Sequence, residues 1–248
     1  MIPIKSLPFL FLIITGSAKP PSTSEWTSID VDPKLTQWEI KQNEYTSRRL
    51  DKKAQAKFSV ANNEIVLNSP YRSKGIFLTT KKSYHQFILE LEVKVPRTKT
   101  NAFIGYHGQW LPEKIKNRKQ TFRNLHCFSF PLGVWPKSTG GGEIRYPQTK
   151  NRTTDTKNLA PKGLEVRLTP GKWHKIRIEV GEDHILHSLD GKLINELRNV
   201  RSTVGEQAMT STINQWEGPI ILGINDHPKG TKENLKITCR NIRIRNLK

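Results

Sequence analysis

Chemistry in this chain falls to a few polar residues at or near the ends of apolar runs. His187 sits within Ile185-Leu186-His187, Asp226-His227 follows the apolar run 219–225, and Glu143, Arg145 and Tyr146 follow Gly140-Gly141-Gly142. An imidazole gains and loses a proton near neutral pH, and a neighbouring carboxylate can orient it, so these are candidates for general acid–base work. Other uses are open to them: a strand histidine can be a structural hydrogen-bonding residue, and Asp226-His227-Pro228 can be a turn. The common nucleophile, nucleotide and zinc signatures are absent: there is no G-x-S-x-G, no phosphate-binding glycine loop, no H-E-x-x-H and no Cys-x-x-Cys. Trp110, Trp135 and Trp216 lie in loop-like stretches, where an indole face can stack on a sugar ring or pack the core.

The elements that must position these residues read as strands. In residues 87–95, Phe87, Leu89, Leu91, Val93 and Val95 share one face while Glu90, Glu92 and Lys94 share the other, the period of a half-buried strand. Residues 174–180 alternate in the same way, and Asp190-Gly191 is a hairpin turn between 184–189 and 192–197. The last strand, 235–247, changes phase at Arg240-Asn241, which predicts a β-bulge. Further strands are expected at 64–68, 75–80, 101–107, 125–130, 142–146, 163–168 and 219–224. No stretch carries a helical period. Ten or more short strands without crossover helices predict an all-β fold, a two-sheet antiparallel jelly-roll sandwich of the concanavalin/glucanase type. Residues 19–50 form a polar lead-in whose Leu35 and Trp38 dock on the sandwich, and 51–248 form its body, with no boundary that would divide the mature chain.

Composition narrows the setting. The chain has 248 residues, with 41 Lys+Arg against 22 Asp+Glu, a formal charge of +19. Residues 7–15 are apolar apart from Pro8 and are followed by Gly16-Ser17-Ala18, the pattern of a cleaved signal over 1–18, so an exported protein, periplasmic or extracellular, is expected. Basic clusters at 114–123 and at Arg48, Arg49, Lys52 and Lys53 attract polyanions. Outside the cell, an acidic polysaccharide is a more natural partner than nucleic acid or membrane. Cys127 and Cys239 form one disulfide at most, and two buried thiols are the other outcome.

Four blocks resemble the 3-keto-disaccharide hydrolase domain in order: Pro170-Gly171-Lys172-Trp173-His174, then 185–191 ending Leu189-Asp190-Gly191, then 218–227 ending Asp226-His227, then Cys239-Arg240-Asn241-Ile242-Arg243-Ile244. The likeness extends upstream to Leu35-Thr36-Gln37-Trp38. Two departures stand out. Tyr106-His107 occupies the place of the family's closing arginine, and 125–130 carries no carboxylate where the family has an acidic strand.

The resemblance implies an exported enzyme cleaving oxidised (3-keto) glycosides. It would place His187 and His227 as base and acid, Asp226 as the orienting carboxylate, and Arg145 with Tyr146 as oxyanion or hydroxyl ligands. Glu143, His107, Trp110 and Trp135 would complete the substrate surface. A divalent metal held by His and Asp is another route to enolate stabilisation, which the sequence does not establish. A carbohydrate-binding module on the same sandwich is the alternative function.

Overall fold

A computed structural model describes residues 25–29, 32–42, 54–73, 75–96, 100–110, 125–133, 139–145, 156–162, 164–198, 201–202, 211–212, 217–224 and 232–247. All regular structure among them is strand. In chain order the strands are β1 (Thr27–Ser28), β2 (Trp38–Gln42), β3 (Lys57–Ala61), β4 (Glu64–Ser69), β5 (Ile76–Thr80), β6 (Phe87–Lys94), β7 (Ala102–Trp110), β8 (Leu125–Pro131), β9 (Glu143–Arg145), β10 (Thr156–Asn158), β11 (Trp173–Val180), β12 (His184–Leu189), β13 (Lys192–Arg198), β14 (Arg201–Ser202), β15 (Ser211–Thr212), β16 (Ile221–Ile224) and β17 (Leu235–Asn246).

Sheet A runs β13-β12-β11-β6-β17-β4-β3, with β1 added beside β17, and sheet B runs β10-β9-β8-β7-β16-β5-β2. Every pairing in both is antiparallel. The expected two-sheet sandwich is the fold. Alternation fixes which face each sheet buries. Phe87, Leu89, Leu91 and Val93 of β6 join Ile176 and Ile178 of β11, and from sheet B Leu78, Ile104, Phe128 and Leu222, in one core. Each such side chain contributes about 1.5–3 kcal/mol when fully buried.

The bulge expected at Arg240-Asn241 is present: the β17–β6 register shifts between Arg240 and Arg243, and Asn241 has φ 52°. At the hairpin between β12 and β13, Asp190 (φ 50°) and Gly191 (φ 82°) both take left-handed backbone, as a type I′ turn requires.

Several boundaries differ from expectation. The strand expected at 163–168 is irregular over 164–168, although Leu168 is buried and the Val166 carbonyl accepts from Thr139 N. Sheet B gains β2 at its edge from the segment expected as a lead-in, with Trp38 buried in the core. β7 runs past the expected end at residue 107 because a bulge, described below, lets it continue to Trp110.

Candidate functional site

His187 lies inside the sandwich with no exposed surface. Its Nε2 accepts from the Tyr106 hydroxyl at 2.9 Å, and its Nδ1–H donates to the Gly140 carbonyl at 2.8 Å. Tyr106 belongs to sheet B and His187 to sheet A, so the bond spans the core. The Phe130 ring packs at 5.0 Å from the imidazole, and Phe128 stacks on Tyr106 at 5.9 Å. Burial holds the imidazole near a pKa of about 4 and pushes the Tyr106 hydroxyl well above its ordinary value, so both stay neutral.

This pair pins the glycine run. On β13, Asn195 Nδ2 donates to the Gly141 carbonyl at 2.7 Å, next to the His187–Gly140 bond. Gly140 has φ 71°, and a Cβ there would run into Ile194 Cδ1 and meet Phe130 Cζ at 2.7 Å. Three glycines in a row are thus the backbone that two buried polar side chains clamp immediately before β9. The sequence pointed to His187 as a candidate base, whereas in the fold both of its ring nitrogens are occupied by structural partners.

His107, where the resemblance expects arginine, forms the β7 bulge. It has φ 51°, the β7–β8 register shifts between Tyr106 and Gln109, and its Nε2–H donates to the His85 carbonyl at 2.6 Å. Burial holds it near a pKa of about 4, and its Nδ1 has no partner among the described residues. Gly218 packs directly on this bulge, where a Cβ would meet the Gly108 oxygen and the His107 carbonyl carbon at 2.6 Å.

The outer face of sheet B, which presents the strands that depart from the family pattern, is apolar. Phe77, Phe103, Leu125, Cys127 and Ile221 form a second buried cluster, with the half-buried Trp110 packed against it. Gly105 and Gly223 leave the room that the Phe103 ring fills. The Trp110 ring lies 5.7 Å from Phe77 under the Lys41 ammonium at 4.9 Å. Two buried polar atoms on this face, Thr79 Oγ1 and Trp110 Nε1, have no hydrogen-bond partner among the described residues. Cys127 and Cys239 are both free and buried, so the disulfide is not formed, and burial pushes the Cys239 thiol up to about 12.

On β9, Glu143 pairs with Ser129 and Arg145 with Cys127. Where β16 ends, Ile224 pairs with Ala102, whose carbonyl accepts from Leu132 N. Arg145 and the end of β16 are therefore five residues apart along β8, about 17 Å at about 3.3 Å per residue. They occupy opposite ends of the sheet. Tyr146, Asp226, His227, Trp135, Trp216, the signal segment and both basic clusters lie outside the described residues. Among the described residues, no three His, Cys, Asp or Glu side chains gather as a metal site.

The motif residues His174 and Asp190 have a role that sequence reasoning passed over. The His174 Nδ1–H donates to Asp190 Oδ2 at 2.7 Å and its Nε2 accepts from Thr169 N at 2.9 Å, while Lys175 N donates to Asp190 Oδ1 at 2.8 Å. These bonds tie the Pro170-Gly171 turn to the Asp190-Gly191 turn. The signal was present in the two turns themselves, each with a polar side chain beside it.

Comparison with solved structures shows the same fold at low identity. A galectin-like-fold protein of unknown function from Bacillus subtilis superposes with a TM-score of 0.55 at 8% identity, covering 90% of this chain and 94% of that one. The LamAcat structure from Zobellia galactanivorans gives 0.52 at 15%, covering 88% and 93%. The apo Crh5 transglycosylase gives 0.52 at 14%, covering 92% and 85%. No curated protein sequence matches the chain. The sequence pattern of the 3-keto-alpha-glucoside-1,2-lyase-like domain matches residues 25–245. With that match running from the strand beside β17 to nearly the end of β17 itself, the chain belongs to the 3-keto-alpha-glucoside-1,2-lyase-like domain family, a glycosidase-type, carbohydrate-directed β-sandwich.

Proposed function

We propose that this protein cleaves glycosides that carry a 3-keto sugar. The observation that supports the reading is the family match across residues 25–245. A ketone at C3 acidifies the C2 proton. His227, oriented by Asp226, removes that proton, the electrons pass into the C3 carbonyl as an enolate, and the C1–O bond then breaks as C1=C2 forms. The departing oxygen takes the proton from the His227 imidazolium. Water adds back across C1=C2, with hydroxyl at C1 and hydrogen at C2, so the sum is hydrolysis.

Arg145 and Tyr146 serve in this reading as ligands to oxyanion or hydroxyl groups of the substrate. His187 acts in this reading as a positioning residue that holds the glycine run before β9. A divalent metal on His and Asp is the alternative support for the enolate. Incubation of the purified protein with a 3-keto-glucoside should release the aglycone, with loss in His227→Ala. No turnover, with or without added divalent metal, would overturn the reading. Export belongs to the same proposal, and a secreted form beginning at Lys19 by mass would support it.

A carbohydrate-binding role without catalysis is the second reading, favoured by the closed apolar outer face of sheet B, where Leu125 and Cys127 stand on the strand that departs from the family's acidic pattern. Glycan binding without turnover, lost in Trp110→Ala, would select it.

A further inference from the structure

The opposite sheet carries a charged cavity on its outer face. The charged faces of β6, β11 and β17 meet in a ladder: Lys175 and Arg240 flank Glu92 across the strands, and Arg177 and Arg243 flank Glu90. At the β17 bulge, this ladder borders a cavity of about 480 Å³ lined by Trp26, Glu90, Glu92, Lys175, Asn241 and Arg243. The volume lies within the roughly 300–1,000 Å³ of small-ligand sites. β1 pairs with β17 just past the bulge, Ser28 opposite Arg243, and so brings Trp26 to the rim. There the Arg243 guanidinium lies 4.6 Å from the indole centroid.

The hydrogen-bond inventory shows what the cavity has left to offer. Glu90 is nearly buried and saturated: Oε1 takes Arg177 at 3.1 Å, and Oε2 takes Arg243 at 2.6 and 3.0 Å and Lys175 at 3.3 Å. Arg243 gives Nε and Nη2 to Glu90, which leaves Nη1 without a partner among the described residues. The Lys175 side chain is 52% exposed and makes one ion pair there, although an ammonium has three donors. Glu92 takes Arg240 and Asn241 on Oε2 alone, leaving Oε1 as a free acceptor among the same residues. Spare cationic donors, one spare carboxylate oxygen and an indole thus border one cavity.

We infer that this cavity binds an acidic sugar unit, with its ring against Trp26, its anionic group on Lys175 and Arg243, and a hydroxyl donating to Glu92 Oε1. The inference rests on the carbohydrate-directed reading of the protein but uses the sheet opposite to the proposed reaction site. A uronate and a sulfated sugar share this chemistry.

Calorimetric titration of the full chain with a glucuronate disaccharide, a sulfated disaccharide and their neutral counterpart tests it. The anionic sugars should bind about tenfold tighter than the neutral one, a difference of about 1.4 kcal/mol. Whichever of the two anions binds more tightly identifies the group recognised. Lys175→Gln should remove that preference and Trp26→Ala should abolish binding, while both variants keep the wild-type β-sheet circular dichroism and any turnover of 3-keto-glycoside. Equal or absent binding of charged and neutral sugars, binding unaffected by Lys175→Gln, or displacement by inorganic sulfate at the same concentration would each overturn it. Failure of the 3-keto-glycoside reaction alone would leave this site standing, and its loss alone would leave the reaction standing.

Discussion

The outer faces of the two sheets solve the same problem in opposite ways. Sheet A covers its strands with a cross-strand ladder of charges and half-buried tryptophans, in which each β6 glutamate sits between cations. Sheet B covers its strands with Phe77, Phe103, Cys127 and Ile221, almost without charge. The motif blocks that make the family legible lie largely in sheet A and its turns, where His174 and Asp190 knit two turns together. The departures from the family pattern, Tyr106-His107 and the carboxylate-free β8, lie in sheet B. The matching blocks thus serve mainly the frame of sheet A, while Tyr106 and His107, which depart from the pattern, hold the core and the β7 bulge in sheet B.

Acid should have the largest effect, and it acts on both sheets through a buried histidine in each. His187 and His107 are neutral in the fold with pKa values of about 4, against about 6.5 when unfolded. The unfolded chain binds protons first, so stability is intact above about pH 6.5 and falls as pH drops toward 4, by about 3 kcal/mol for each histidine. Urea midpoints measured from pH 7 to 4 check this, and a flat profile would contradict it.

Next in size, His187→Ala removes a buried ring and strands the Tyr106 hydroxyl and the Gly140 carbonyl, for a loss of about 3–4 kcal/mol. An unchanged unfolding midpoint would dismiss the lock. Cys127→Asp, which restores a carboxylate to β8, should cost about 3 kcal/mol because the site is fully buried and apolar. Ser59→Asp on the exposed face of β3 should stay within about 0.5 kcal/mol. Similar effects from both would erase the contrast between the sheets.

Among the substitutions in buried groups, Glu90→Gln has the smallest effect, about 2 kcal/mol. Burial works to raise the Glu90 pKa, but hydrogen bonds from Arg243 and Arg177 and the Lys175 charge outweigh it and hold the value below the usual carboxylate range. Its stabilisation is present above the unfolded pKa and is lost as pH falls through the lowered folded value, so it disappears at lower pH than the histidine effect. Comparison of wild type and variant at pH 7 and at pH 3 reads the difference.

Sheet A was legible because its strands are solvated on one face. Their alternation is clean, and even the β17 bulge is written as a phase change between Cys239 and Ile242. Sheet B was less so. Residues 76–80 of β5 are buried on both faces, and such a run has no alternation to read. The bulge at His107 was invisible because it rests on left-handed backbone at a histidine and on contact with Gly218, more than a hundred residues away. Among the candidate site residues, His187 was recognisable as special from its place in a motif, but its role depends on Tyr106 and Gly140, which only the packing of the two sheets brings to it.

The strand β17 holds a further consequence, for the order in which the molecule can form. It is the last of the described strands in chain order, yet it sits between β6 and β4 near the middle of sheet A. Its partners on β6 are about 150 residues earlier, at Glu92 and Glu90, and β1 waits for it on the other side. Until residues 235–246 have left the ribosome, sheet A is two separate pieces with unpaired inner edges. Such late, long-range closure makes for slow folding, and the open edges are places where a truncated chain would pair with its neighbours instead.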